Sequence, residues 1–297
     1  MRVNLRKEQV LMVKEAEKAK FLPHGAIQVL IFFGLFLVSQ LATSIFVIIQ
    51  MLYNGTTEIE STGPFNLFIF GVFSFIFILY VLLIEGRSTK SLGFSKRYAI
   101  KDYVIGYLVG IGLFSFIMFI LYITNSMNYE GLLGGGTLLL VLFFLGFIIQ
   151  GMSEEVMLRG YLMNSLGARH NLVIATIINS SIFGVLHLLN PNGSVLSILN
   201  IILFGVFASV YALKFSNIWG IGALHSAWNF VQGNVFGLEV SGQQMDASIL
   251  KFSANGNELL NGGSFGPEGG LITTIVLIIA TIIIYNLKLN RAAYITK

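Results

Sequence analysis

Long apolar stretches alternate with short polar joints along this chain. A transmembrane helix needs roughly 20 mainly apolar residues. On that measure eight spans are predicted, at about 27–52, 65–84, 103–124, 137–158, 172–189, 196–213, 217–232 and 271–287. The fifth to seventh are short and carry polar residues, so their ends are the least sharply marked. The pattern predicts an all-α polytopic integral membrane protein with both termini on one side.

The chain divides on the same pattern. Residues 1–26 form an N-terminal segment, 27–136 hold nearly featureless apolar spans, and 137–232 hold spans with polar residues inside them. A long loop covers 233–270, and 271–297 hold the last span and a tail. Glu8, Glu15 and Glu17 interrupt residues 1–24, so no signal-peptide core is expected there. A short amphipathic helix on the membrane surface is predicted instead. Val10, Leu11 and Val13 would be its apolar positions, with Lys14, Lys18 and Lys20 near anionic headgroups. The loop is rich in Gly, Asn and Ser. It reads either as a flexible connection or as a lid or re-entrant piece over a membrane cavity.

Composition agrees: of 297 residues, 55% are hydrophobic and 11% are charged, outside the range of soluble domains. The chain has no cysteine, which removes disulfides, thiolate metal sites and thiol nucleophiles. The net charge of +4 reflects membrane sidedness rather than affinity for nucleic acid. Seventeen of the 18 Lys and Arg residues fall in the N-terminal segment, the 85–102 loop, the 159–170 turn, the 214–216 turn and the tail. These segments share one side if the eight spans are right. The other side holds Lys251 alone, together with Glu58, Glu60, Glu130, Glu239, Asp246, Glu258 and Glu268. By the positive-inside rule both termini are cytoplasmic, in a cell membrane.

Against that background the buried charges stand out. Glu154, Glu155 and Arg159 follow one of the most apolar runs in the chain, Leu138 to Ile149. A charge at the centre of a bilayer helix costs roughly 2.5–3.5 kcal/mol even on lenient scales, so such residues mark function by default. Glu155 and Arg159 are four apart, on one helix face in the favourable order, and are expected to neutralise each other. Glu154 points elsewhere and lacks a local partner. His187 and His225 lie in other apolar segments, whereas His24 and His170 fall at membrane edges. Asn229 follows His225 by four residues, with Gln232 further on, and Asn179 precedes His187 by two turns. At about 1.5 Å per residue, Glu154, His187 and His225 all fall in the middle band of the bilayer. A glutamate, a histidine and a water make a general base. A second histidine with an amide supplies donors for an oxyanion. Ser153 lacks any nucleophile motif.

Glu154-Glu155-Val156-Met157-Leu158-Arg159, then Phe183-x-x-x-His187, then His225-x-x-x-Asn229, resemble the three ordered motifs of the CPBP family, also called the Abi or CAAX prenyl protease 2-like family. The stretch Gly262 to Gly270 resembles a loop of many bacterial members. The resemblance implies an intramembrane endopeptidase. Glu154 and His187 would activate water, His225 and Asn229 would form the oxyanion site, and Glu155 and Arg159 would support them. The family is often labelled metallo, while its eukaryotic branch implies a metal-free glutamate mechanism. Zinc on Glu154, His187 and His225 would make an acceptable three-ligand site. The chain has no His-Glu-x-x-His, and the metal-free reading employs Asn229 directly, so no cofactor is favoured. The expected partners are the bilayer and a short peptide or membrane-protein substrate. Two alternatives stay open: a catalytically silent bacteriocin-immunity or interaction protein of the same fold, and a proton-coupled transporter.

Overall fold

The computed structural model describes residues 7–55 and 63–287. Arg2, Arg6, Glu58, Glu60, Lys288, Arg291 and Lys297, used above in sorting charge, lie outside the described residues.

In chain order the helices are α1 (Leu11–Glu17), α2 (Gly25–Asn54), α3 (Phe65–Leu83), α4 (Ala99–Ile123), α5 (Thr137–Glu155), α6 (Asn164–Arg169), α7 (Leu172–Leu186), α8 (Val195–Phe215), α9 (Trp219–Phe230), α10 (Glu258–Asn261) and α11 (Leu271–Asn286). Two π-helical segments, Val156–Met163 and Val231–Val235, continue α5 and α9. Helices occupy all eight predicted spans. Gly25–Tyr53, Phe65–Leu83, Ala99–Ile123, Thr137–Arg169 and Val195–Phe215 are long and apolar enough to cross a membrane, while Leu172–Leu186 and Leu271–Asn286 are shorter apolar helices. The chain is an all-α multi-pass membrane protein. Leu37, Leu41, Ile45 and Ile48 of α2 and Ile275, Ile279 and Ile282 of α11 stay exposed, which suits a lipid-facing surface.

Helices α7 and α8 open on side-chain caps. Asn171 Oδ1 accepts from Ile174 N at 2.8 Å to open α7. Ser194 and Ser197 form a reciprocal capping box at the start of α8.

Helix α9 sits between α4 and α5, α7 and α8 pack as a hairpin, and α11 lies along α8. Glycines set the closest crossings. A β-carbon at Gly106 would stand 1.9 Å from Gly220 O, and one at Gly151 would stand 2.6 Å from Ser226 Oγ. In lipid, where no hydrophobic force drives helices together, small residues permit the tight packing that does.

Three expectations change. The predicted turn at 159–170 is instead the second half of one continuous helix, Thr137–Arg169. Arg159 is fully buried within it rather than on a cytoplasmic joint, because Glu155 neutralises it there. Helix α1 buries Val10, Met12, Val13 and Ala16 against α6 and the Thr89–Leu92 turn. Its apolar face therefore packs on protein rather than on lipid.

The third change concerns the 233–270 loop, which is no bare connection. It contains β2 (Leu250–Ala254), which pairs antiparallel with β1 (Met127–Leu132), with an irregularity between Tyr129 and Gly131. Side-chain amides tie the rest down. Asn234 Nδ2 donates to Ala247 O at 2.6 Å, and Asn261 Nδ2 donates to Ser126 O at 3.0 Å. Asn200 Nδ2 donates to both Glu268 O and Gly270 O, at 2.7 and 2.9 Å.

Candidate active site

The polar core is assembled from two helices. Helix α5 brings Gln150, Glu154 and Glu155, the two glutamates immediately before the helix changes from α to π at Val156. Helix α9 brings His225 and Asn229, one turn apart, and also ends in a π segment. A π turn inside a helix often marks a functional site. Gly151 lets the two helices touch beside these residues, so His225 reaches across to the glutamates.

Glu155 is the structural anchor. Its Oε1 accepts from Arg159 Nη1 at 3.0 Å and from His225 Nδ1 at 3.0 Å. Arg159 also donates through Nη2 to Gly205 O of α8 at 3.1 Å, and its guanidinium lies 4.9 Å from the Phe183 ring centre. Both side chains are fully buried. The carboxylate only accepts, so His225 Nδ1 carries a hydrogen, and Nε2 is the ring nitrogen left to face the cavity.

That nitrogen faces Glu154 Oε2 at 3.7 Å. Glu154 is 8% exposed, and Oε2 has no hydrogen-bond partner. Its other oxygen, Oε1, accepts from Gln150 Nε2 at 2.5 Å. Gln150 Oε1 in turn accepts from Asn229 Nδ2 at 3.0 Å. Gln150 was not among the sequence candidates, although its position four residues before Glu154 puts it on the same helix face.

His187 closes α7 as its C-cap residue, with Nδ1 2.8 Å from Phe183 O. The carbonyl only accepts, so Nδ1 is protonated. His187 lines the same cavity as Glu154, Gln150, His225 and Asn229, a space of about 370 Å³. The family resemblance implies that Glu154 acts with His187; the two line one cavity, and the histidine in contact with Glu154 is His225.

The remaining candidates take other places. Asn179 donates to Ser209 Oγ at 2.6 Å and joins α7 to α8. Gln232 donates to Glu239 O at 2.5 Å. Ser153 accepts from Ser74 Oγ at 2.6 Å and is buried between helices. His24 and His170 meet edge-on, with ring centres 5.9 Å apart.

The cavity's other walls come from Phe36, Phe70 and Phe204, and from Ser241, Gln243, Met245 and Glu268 of the long loop and its end. Glu268 fixes this part. Its carboxylate accepts from Trp228 Nε1 at 3.1 Å and from Ser241 N and Oγ at 2.7 and 2.8 Å. Among the described lining residues there is no Lys or Arg. No group of three His, Asp or Glu side chains among the described residues is gathered to hold a metal ion.

No curated protein and no solved structure matches the chain. Over residues 136–231, the span that carries Glu154, His187, His225 and Asn229, the chain is similar to the family whose model is described as type II CAAX prenyl endopeptidase, Rce1-like.

Proposed function

We propose that this protein is a cell-membrane endopeptidase that hydrolyses an internal peptide bond by glutamate-activated water, without a metal. The observation that carries the reading is Glu154 Oε2. It is a buried carboxylate oxygen without a hydrogen-bond partner, on the wall of a cavity, in ion-pair range of His225 Nε2 at 3.7 Å. A water in the cavity beside the two atoms would supply the hydrogen bond that Oε2 lacks.

In the proposed step Glu154 Oε2 takes a proton as the water O–H bond breaks, and the oxygen attacks the carbonyl carbon of the substrate. Asn229, and His225 when protonated, receive the oxyanion. His187 orients the water from the cavity wall. As the intermediate collapses, the C–N bond breaks and the proton on Glu154 passes to the departing amine. Glu155 and Arg159 hold His225 in its tautomer.

The surroundings support a substrate class and a side of access. The end of α7, the starts of α3, α8 and α11, and the 238–245 segment all contribute to the cavity through Asn190, Asn66, Asn200, Thr273 and Ser241. In an alternating bundle these chain ends share one side, opposite the termini. With cytoplasmic termini the mouth faces outward. Glu154 and Glu268 line the cavity and no Lys or Arg does, so a free carboxylate near the scissile bond lacks a permanently charged counter-ion. A neutral or basic internal segment fits better than a short acidic-ended tail.

The test uses the full chain in detergent with quenched fluorescent peptides, each made with an amidated and a free carboxyl end. Wild type is expected to cut amidated peptides faster and to ignore chelators. Glu154→Gln, His187→Ala, His225→Ala and Asn229→Ala are expected to lose activity while staying folded. Full activity in Glu154→Gln would refute the reading, and loss of activity with chelator would refute its metal-free form.

A further inference from the structure

We propose that Gln150 is a positioning residue for this hydrolysis. Its side-chain amide selects which oxygen of Glu154 takes the proton and which end of Asn229 faces the substrate. The inference rests on the reading just given and adds a residue to it.

The geometry is a short chain of amides. Gln150 Nε2 donates to Glu154 Oε1 at 2.5 Å, and Gln150 Oε1 accepts from Asn229 Nδ2 at 3.0 Å. The three side chains are 8%, 8% and 5% exposed, and all line the cavity. Only one orientation satisfies the chain. An ionised carboxylate accepts and never donates, so the amino end of Gln150 must face Glu154. The carbonyl end then faces Asn229, and Asn229 must present its amino end to it.

Two consequences follow. First, the two oxygens of Glu154 become unequal. Oε1 is committed to Gln150, while Oε2 is free and faces His225, so the water's proton goes to Oε2. A proton there leaves the Gln150 bond intact, and the arrangement persists through turnover. Second, Asn229 spends one N–H on Gln150 and keeps the other for an oxyanion. Without Gln150 its amide can turn its oxygen toward the same place, and an acceptor there repels the developing charge. One residue thus aligns the base on α5 with a donor on α9. Such networks are worth more than their separate bonds when every member is satisfied.

The test again uses the full chain in detergent. Gln150→Met keeps the side chain's length and removes both of its hydrogen-bonding ends. The expected result is a fall in kcat of about 10–100-fold, with KM within about threefold and a wild-type melting profile. Gln150→Glu carries the same donor and acceptor pair only when protonated. Its activity is expected to rise relative to Gln150→Met as pH is lowered. Wild-type kcat in Gln150→Met would overturn the proposal, as would a fall shared equally by every pH and both variants.

A second measurement does not depend on turnover. With ¹⁵N-labelled asparagine, the side-chain amide protons of Asn229 are identified by their absence in Asn229→Asp. In Gln150→Met one of them is expected to move upfield as its hydrogen bond is lost, and an unchanged pair would overturn the proposal. If wild type cuts no peptide while this shift is present, the hydrolytic reading fails and the positioning of Asn229 by Gln150 stands.

Discussion

Glu155 Oε1 accepts two hydrogen bonds at 3.0 Å, one from Arg159 Nη1 on its own helix and one from His225 Nδ1 on the neighbouring helix. One oxygen therefore joins the charge balance of α5 to the placement of a site histidine. Removing one partner of a buried pair leaves an uncompensated charge, at a cost of about 3–5 kcal/mol. Arg159→Leu is expected to lower the thermal midpoint in detergent strongly. Glu155→Gln, which keeps an acceptor for both donors, is expected to cost less. Equal midpoints for the two variants would contradict this account.

Gly151 sets how near His225 comes to the glutamates. A β-carbon there would meet Ser226 Oγ at 2.6 Å and Ser226 N at 2.7 Å. Overpacking of this kind costs about 1–3 kcal/mol. Gly151→Ala is expected to be less stable by that amount and to lose peptide cleavage. Adding Ser226→Gly is expected not to restore it, because the backbone nitrogen stays in the way. Thermal melts and the peptide assay check both statements.

Glu85 and Arg87 form a second buried pair, 2.6 Å apart, in the turn after α3. Burial pushes the Glu85 carboxyl up from 4.5 to about 6, and Arg87 only partly opposes it. A raised carboxyl value means that the folded state holds the proton more tightly than the unfolded chain. The stabilisation is complete below about 4.5 and is lost as pH rises through about 6. A shift of this size is worth about 2 kcal/mol. Wild type is therefore expected to lose that much stability relative to Glu85→Gln between pH 4 and 7. Parallel stability curves would refute it.

Glu268 holds the 238–245 segment by two hydrogen bonds to Ser241 and is itself held by Trp228. Losing such bonds in a buried place costs about 1–3 kcal/mol. Glu268→Ala is expected to speed amide exchange across residues 238–245 by roughly 10–100-fold, with little change in α4 or α8. Hydrogen-exchange mass spectrometry reads this directly.

Much of this fold is legible from hydropathy, because apolar helices must satisfy their backbone internally and so announce themselves as long uniform runs. The Glu155–Arg159 pair is legible for a similar reason: four residues is a helix repeat, and opposite charges four apart need no tertiary information. Gln150 obeys the same spacing and was passed over because an uncharged amide costs little in a helix and draws no attention. The contact of His225 with both glutamates was not legible. It depends on α9 pressing against α5 at Gly151, which is a contact between segments about 75 residues apart. The β1–β2 pair escaped for the same reason, since each strand is short and its partner lies over 100 residues away. Arg159 lies inside the helix rather than at the end of a span because its counter-charge, Glu155, sits one turn earlier.

The π segment Val156–Met163 has a consequence for how this chain tolerates length changes. An α-helix turns by about 100° per residue, and a π turn accommodates one residue more than an α turn before its hydrogen bond closes. Deleting a single residue there allows an ordinary helix to re-form with the downstream faces near their original heading, whereas the same deletion in an α segment rotates everything downstream by about 100°. Glu154 and Glu155 would keep their heading, and Asn164 beyond the segment would still aim its Nδ2 at Ser91 O, to which it donates at 2.9 Å. The widened turn works as a phase adjuster, keeping the upper half of this long helix aimed at chemistry and the lower half aimed at its own foundations.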